Sequence, residues 1–425
     1  MDEYELSAKY NIAETCCASV SVEHLLSLGS SSSGPTISAL DLFSPSTPQT
    51  YGEIRGSTAL KTNLANIYNE GAENPLLADN ILINPGAIAS NFLVLYALVG
   101  PGDHVICQHP TYQQLYSVPR SLGAEVSLWE MHEERDWQLD IDELKSLIQP
   151  NTKLIVIKYA LSSFPPKEIE ILTRLSNPNN PTGAVLPKSL LTTLITIAST
   201  HNPPITILSD EVYRPLFHSP SSHGFSPPPS ILNAHSTYPH LIATGSLSKA
   251  YSLAGIRIGW LATRSRPLLE LCAAARDYTN ISVSIADQAV AAYALSPSCL
   301  PSLLDRNIKL AAGNLQILSS YVERWLALGW AQWTRPVAGT TAFVKFMREG
   351  KAVQAVEFCK RLQAETGVMV LPGDRGFGDQ SDGGKRYEGY VRIGYVPERK
   401  VLEGGLKVCH AWMEREWESL PLVEA

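Results

Sequence analysis

The sequence has little to offer a metal, a membrane or a nucleic acid. Its seven cysteines are scattered without metal-ligand spacing, and two of them, Cys16 and Cys17, are adjacent, which does not suit a bridge within one chain. An odd number of unpaired thiols fits a reducing compartment, so the expectation is a cytoplasmic protein. No apolar run reaches the roughly 20 residues that a membrane span needs. The acidic start, Met1-Asp-Glu-Tyr-Glu5, is unlike a secretory leader. Charged residues make up 18% of the chain and the net charge is −7, so the basic footprint of a partner for nucleic acid or anionic lipid is missing. Internal repeats are missing as well. Apolar residues are abundant: 44% of the 425 residues are hydrophobic, enough for a large core and too many residues for one ordinary domain.

The first forty residues read as a separate segment that packs with a small domain, with a short helix at Val22–Leu28 and a serine-glycine linker at Ser30–Pro35. From Tyr51 onward, helical and strand patterns alternate. Thr58–Tyr68 reads as a helix, Asn80–Asn84 as a strand, and the apolar run to Leu98 as a helix after a turn at Gly86. His104–Gln108, Glu125–Trp129, Lys153–Ile157, Ile205–Ser209 and Leu241–Gly245 read as further strands, several of them short β-branched runs of the buried parallel type. This alternation predicts an α/β domain over 41–295 with a mainly parallel sheet covered by helices. A long helix at Ser302–Leu328, strands at Thr341–Lys345 and Tyr390–Tyr395, and a helix at Val353–Glu365 predict a smaller α+β domain over 296–425. Ser219–Pro229 reads as a surface loop.

One stretch carries chemistry. Ser246-Leu-Ser-Lys-Ala-Tyr-Ser-Leu-Ala-Gly-Ile-Arg-Ile-Gly259 follows an apolar strand and sets Lys249 among hydroxyls, with Arg257 close behind. A lone lysine is usually a solvated surface charge. Here the amine can form a Schiff base with an aldehyde, while two serines and an arginine can hold a phosphate beside it. Pyridoxal 5′-phosphate (PLP) carries both groups on one ring. Other stretches are weaker alone. Ser209-Asp-Glu-Val-Tyr213 could be a helix cap, Asn177-Pro-Asn-Asn-Pro-Thr-Gly183 a turn, Asn84-Pro-Gly-Ala-Ile-Ala-Ser90 a helix start with free N–H groups, and His109-Pro-Thr-Tyr112 core packing.

Together, and in this order, these motifs resemble the class I/II aminotransferases of the aspartate aminotransferase type over roughly residues 40–400, with every constrained position of the lysine signature matched. The resemblance implies fold type I, with a mainly parallel seven-stranded sheet, bound PLP and an α-amino-acid substrate. It implies Lys249 as the Schiff-base lysine and Cα base, Asp210 against the ring nitrogen, Tyr213 and Asn180 at the ring oxygen, and Tyr112 stacked on the ring face. Gly86, Ala87, Ile88, Ser246, Ser248 and Arg257 would surround the phosphate. Tyr51 would reach the phosphate of a neighbouring subunit in a homodimer, and Arg392 would grip the substrate carboxylate. Pro372–Gly384 could form a mobile lid.

The chain departs from that pattern in three places. Ile88 stands where many relatives carry a hydroxyl. Ala13-Glu-Thr-Cys-Cys-Ala-Ser19 replaces a glycine-bearing substrate loop. The 19 residues 158–176 interrupt a connection that is normally about 2–6 residues long. They read either as a surface insertion or as a retained intron translated in frame, because Lys-Tyr-Ala and Leu-Ser can be encoded by codons with splice-boundary character. Transamination, in secondary metabolism, is the first reading of function. A lyase or cyclase of the carbon–sulfur lyase, aminocyclopropane-carboxylate synthase or capreomycidine synthase kind stays open, since it starts from the same lysine. A non-catalytic PLP-binding protein is the remote third reading.

Overall fold

The computed structural model describes residues 4–29, 46, 48–70, 72–158, 179–184, 188–216, 218, 230–233, 237–378 and 385–424. The linker expected at Ser30–Pro35, the loop at Ser219–Pro229, Asn177, residues 379–384 of the glycine-rich stretch and all of 158–176 except Lys158 lie outside the described residues.

After a two-residue strand β1 (Tyr10–Asn11), the chain builds β2 (Ile81–Asn84), β3 (His104–His109), β4 (Glu125–Glu130), β5 (Thr152–Ile157), β6 (Thr206–Asp210), β7 (Leu241–Ser246) and β8 (Gly259–Ala262). β2 to β8 form one seven-stranded sheet in the order β2-β8-β7-β6-β5-β3-β4. Pairing is parallel from β7 through to β4, while β8 runs antiparallel to both of its neighbours. The period-2 geometry of strands sorts the apolar side chains to two faces. Ile106, Ile155, Ile207 and Ala243 pack with the helices Thr58–Asn69 and Lys188–Thr200, whereas Val105, Val156, Leu208 and Ile242 pack with the helices Ala87–Leu98 and Arg266–Arg276. Both faces are therefore buried, which is why these strands read as unbroken apolar runs. β8 has no such run, because its four residues begin with glycine inside the lysine motif.

The helix Leu300–Ala327 leads to a second sheet built from β9 (Ala331–Trp333), β10 (Thr341–Arg348), β11 (Lys351–Ala352), β13 (Leu371–Pro372) and β14 (Tyr390–Gly394), with β10 and β14 antiparallel at its centre. The following helix runs from Ala355 to Thr366 and ends at Gly367, whose φ of +73° suits glycine. It starts two residues later than the apolar pattern suggests, because Val353 bridges to Leu422 instead. β1 pairs in parallel with β12 (Val368–Met369), so the N-terminal segment is laced to a late part of the chain. Ile12 extends this pairing: its N–H donates to the Met369 carbonyl at 3.1 Å, and its carbonyl accepts from Gly394 at 2.7 Å. Among the described residues no helix is long and apolar enough to cross a membrane, and no cluster of side chains could hold a metal ion.

Candidate active site

Parallel strands present their carboxyl ends to one edge, where ligands of open α/β sheets bind. A cavity of about 480 Å³ opens at that edge. β6 ends in Asp210, which is buried. Its Oδ1 accepts from the Val212 N–H at 3.2 Å and its Oδ2 from Asn91 Nδ2 at 3.1 Å. Asn91 is in turn held by the Thr244 hydroxyl of β7 at 2.6 Å. Glu211 turns away into the interior, where it accepts from Ser230 and the Ile231 N–H, so its role is structural.

β7 ends in Ser246, whose hydroxyl donates to Ser248 at 2.9 Å. Arg257, left-handed at φ 53°, reaches back so that Nη1 donates to Ser248 Oγ at 3.3 Å and to the Ala254 carbonyl at 2.7 Å. The helix Ala87–Leu98 starts against this group, with Gly86 as its cap at φ +86°. A Cβ on Gly86 would meet Arg257 Nη2 at 2.6 Å, and one on Gly259 would meet the Gly86 backbone at 2.3 Å. The two glycines therefore let a guanidinium and a helix N-terminus close on one spot. Gly86 contributes this turn rather than cavity wall, while Ala87 and Ile88 line the cavity.

Lys249 lies between these groups and the N-terminal segment. Its Nζ donates to Thr15 Oγ1 at 2.7 Å and to Cys16 Sγ at 3.3 Å, and it lies 3.9 Å from Glu14 Oε1. Burial works to lower the lysine pKa, but Tyr213, Cys16 and Glu14 outweigh it and hold the amine above its ordinary value. Burial pushes the Cys16 thiol up to about 11, which keeps it protonated.

Tyr112, Tyr213 and Asn180 line the same cavity. Arg392 enters from β14: Nη1 donates to Asn180 Oδ1 at 3.2 Å and Nη2 to the Ala13 carbonyl at 2.7 Å. Its Nε is buried without a partner, and burial lowers its pKa. Tyr51 is 66% exposed and lies outside this chain's own cavity.

The donor set fits a phosphorylated aldehyde. Two hydroxyls, a guanidinium and free helix N–H groups gather at one end, an amine stands beside them, and a buried carboxylate closes the far side. Three participants escape sequence reasoning. Asn91 is a buried polar residue that interrupts an apolar helix, a signal that could have been noticed. Thr15 touches Lys249 only through the fold. Lys158 is nearly fully buried, with Nζ 3.6 Å from Asp210 Oδ2 and over the Tyr213 ring, and no local pattern marks it.

Residues 37–401 match the family model of aminotransferase class I and II. A solved PLP-dependent aminotransferase from Streptococcus suis is 36% identical, covers 97% of this chain and 96% of its own, and superposes with a TM-score of 0.80. Capreomycidine synthase from Streptomyces vinaceus is 28% identical over 77% of this chain and 72% of its own length. Tyrosine aminotransferase from Bos taurus is 27% identical over 47% of this chain, a match that spans 39% of that protein.

Proposed function

The chain belongs to the class I and II aminotransferase family, whose cofactor is PLP, and we propose that it transfers the amino group of an α-amino acid with Lys249 and Arg392 as the two working ends of the site. The observation that carries this reading is the unpaired, buried Arg392 Nε in the same cavity as the Lys249 amine. An arginine that leaves a donor unsatisfied in the interior is costly unless a ligand completes it. A carboxylate does so with two parallel hydrogen bonds.

Bound PLP supplies an aldehyde that condenses with amines and a ring that withdraws electrons from the carbon attached. Around it, Arg392 holds the substrate carboxylate and thereby fixes which Cα bond faces Lys249. The Lys249 amine takes the Cα proton and returns it. Asp210 supplies the anion that keeps a ring nitrogen protonated, and the Asn91–Thr244 pair keeps that carboxylate in place. Ser246, Ser248, Arg257 and the N–H groups of Ala87 and Ile88 anchor the phosphate. Tyr112 would pack on the ring face, while Tyr213 and Asn180 would serve its oxygen.

We place the protein in the cytoplasm as a homodimer. Free thiols at all seven cysteines support the compartment. Exposed Tyr51, Ile54, Tyr278 and Ile281 support the dimer: Arg276 donates to the Ile54 carbonyl and so ties the Tyr51 segment to the Tyr278–Ile281 turn. Incubating the holoenzyme with an amino donor and no acceptor tests the reaction. Stoichiometric conversion of the cofactor to its amine form supports transamination. Release of a keto acid and ammonia together points to the elimination chemistry of a lyase, which the departure at Ala13–Ser19 and the likeness to capreomycidine synthase keep as the second reading.

A further inference from the structure

Glu14 is an acid with no part in the reaction just described, yet it lies between the two working ends. The residue before it, Ala13, accepts from Arg392 through its carbonyl, and the residue after it, Thr15, accepts from Lys249 through its hydroxyl. The segment is fixed from both sides: the Cys17 N–H donates to the Lys249 carbonyl at 3.1 Å and the Ala18 N–H to the Val396 carbonyl at 2.8 Å. The carboxylate is itself aimed. Oε1 accepts from the N–H groups of Thr15 at 2.6 Å and Cys16 at 2.8 Å, and the side chain keeps about a third of its surface open where it lines the cavity. Burial opposes its charge, but Lys249 and the contacts of Cys16 and Thr15 prevail and keep it ionised.

In the chain alone, the Lys249 ammonium balances this charge. When Lys249 holds the cofactor, its amine is committed and Glu14 faces the cavity without that cation. A half-buried carboxylate then favours any ligand that brings a positive charge and disfavours one that brings a negative charge. We propose that Glu14 is the specificity residue of this site and selects α-amino acids whose side chain ends in a cation, an ammonium or a guanidinium. The inference rests on the reading of the site as one that takes α-amino acids.

The test is a titration of holoenzyme with arginine, its neutral isostere citrulline, lysine and norleucine, with the visible absorbance of the cofactor giving Kd for each. The wild type should bind the charged member of each pair about tenfold to hundredfold more tightly than the neutral one. Glu14→Gln should collapse both ratios to near one, and Glu14→Asp should keep part of them. The arginine and lysine arms separate a guanidinium from an ammonium preference. Equal ratios in wild type and Glu14→Gln overturn the proposal. So does a wild type that prefers the neutral member, which decides the matter even if Glu14→Gln fails to hold cofactor. If none of the four compounds perturbs the absorbance, the selectivity falls; if aspartate, glutamate, phenylalanine and alanine leave it unchanged as well, the α-amino-acid reading falls with it.

Discussion

One wall of the cavity comes from strand ends, the other from segments that meet only in the fold. Asp210, Ser246, Ser248, Lys249 and Arg257 sit at or beyond the carboxyl ends of β6 and β7, with Ala87 and Ile88 following β2. Each follows a strand end directly or by a short turn, and the sheet sets those ends side by side. Ala13 to Cys16 and Arg392 reach the same cavity through the β1–β12 pairing and the bonds of Ile12 to Met369 and Gly394. The first wall is built for chemistry shared by a family. The second joins Arg392, which the resemblance also assigns, to the segment at Ala13–Ser19 that departs from the family pattern, and substrate choice is expected to follow that segment.

The contrast can be broken from either side. Lys249→Ala, on the first wall, should lower turnover by about a hundredfold to ten-thousandfold, the usual worth of a positioned base, and remove the visible absorbance of the lysine-bound cofactor. Steady-state rates and a spectrum check both. Arg392→Gln, on the second wall, should raise KM for an amino donor about tenfold to hundredfold, while the cofactor spectrum stays near that of the wild type. Arg392→Lys should recover only part of the loss, because an ammonium lacks the planar fork. An equal fall in cofactor affinity and substrate affinity in these variants would erase the division between the walls.

Smaller effects sharpen it. Gly86→Ala forces a Cβ toward Arg257 at a φ that L-residues avoid. It should weaken PLP binding about tenfold, measured by titrating apoprotein. Glu14→Gln crosses from one wall to the other. An amine condenses only when deprotonated, so uptake of PLP by apoprotein should quicken as the pH rises from about 7 to 9. Burial lowers the pKa of Lys249, but Tyr213, Cys16 and Glu14 raise it further. Removing the Glu14 charge lowers it, exposes more free amine at a given pH, and should speed uptake a few-fold, by an order-of-magnitude estimate. Absorbance followed after mixing shows the sign directly.

The strand ends were legible because each carries a short apolar run and a motif together. β5, β6 and β7 follow their runs closely, and the lysine signature follows β7 at once. The α/β class and the cofactor came from there. β8 was not legible, since its glycine start lies inside the lysine motif and its other partner, β2, lies far back in the chain. Neither was β1, two residues whose partner lies near the other end. Lys158 shows the limit most plainly: nothing in its neighbourhood announces a buried amine 3.6 Å from Asp210. It begins the stretch 158–176, and the chain on either side of that stretch returns to one place. The Lys158 N–H donates to Gln108, Asn179 donates to the Pro110 carbonyl, and both Gln108 and Asn179 reach the Met131 sulfur. On the intron reading Lys158 goes with the stretch, and Ile157 would run directly into Asn177. A peptide from within 158–176 in the native protein would rule that reading out.

The pairing of β1 with β12 also sets an order of events. Tyr10 and Asn11 are synthesised before the seven strands of the large sheet, but their partners Val368 and Met369 after them. The segment that meets Lys249 must wait, unpaired, while the large sheet folds behind it. The pocket is thus closed by a segment made before the sheet that bears the lysine, and a chain released before β12 is made would carry the lysine with that side open.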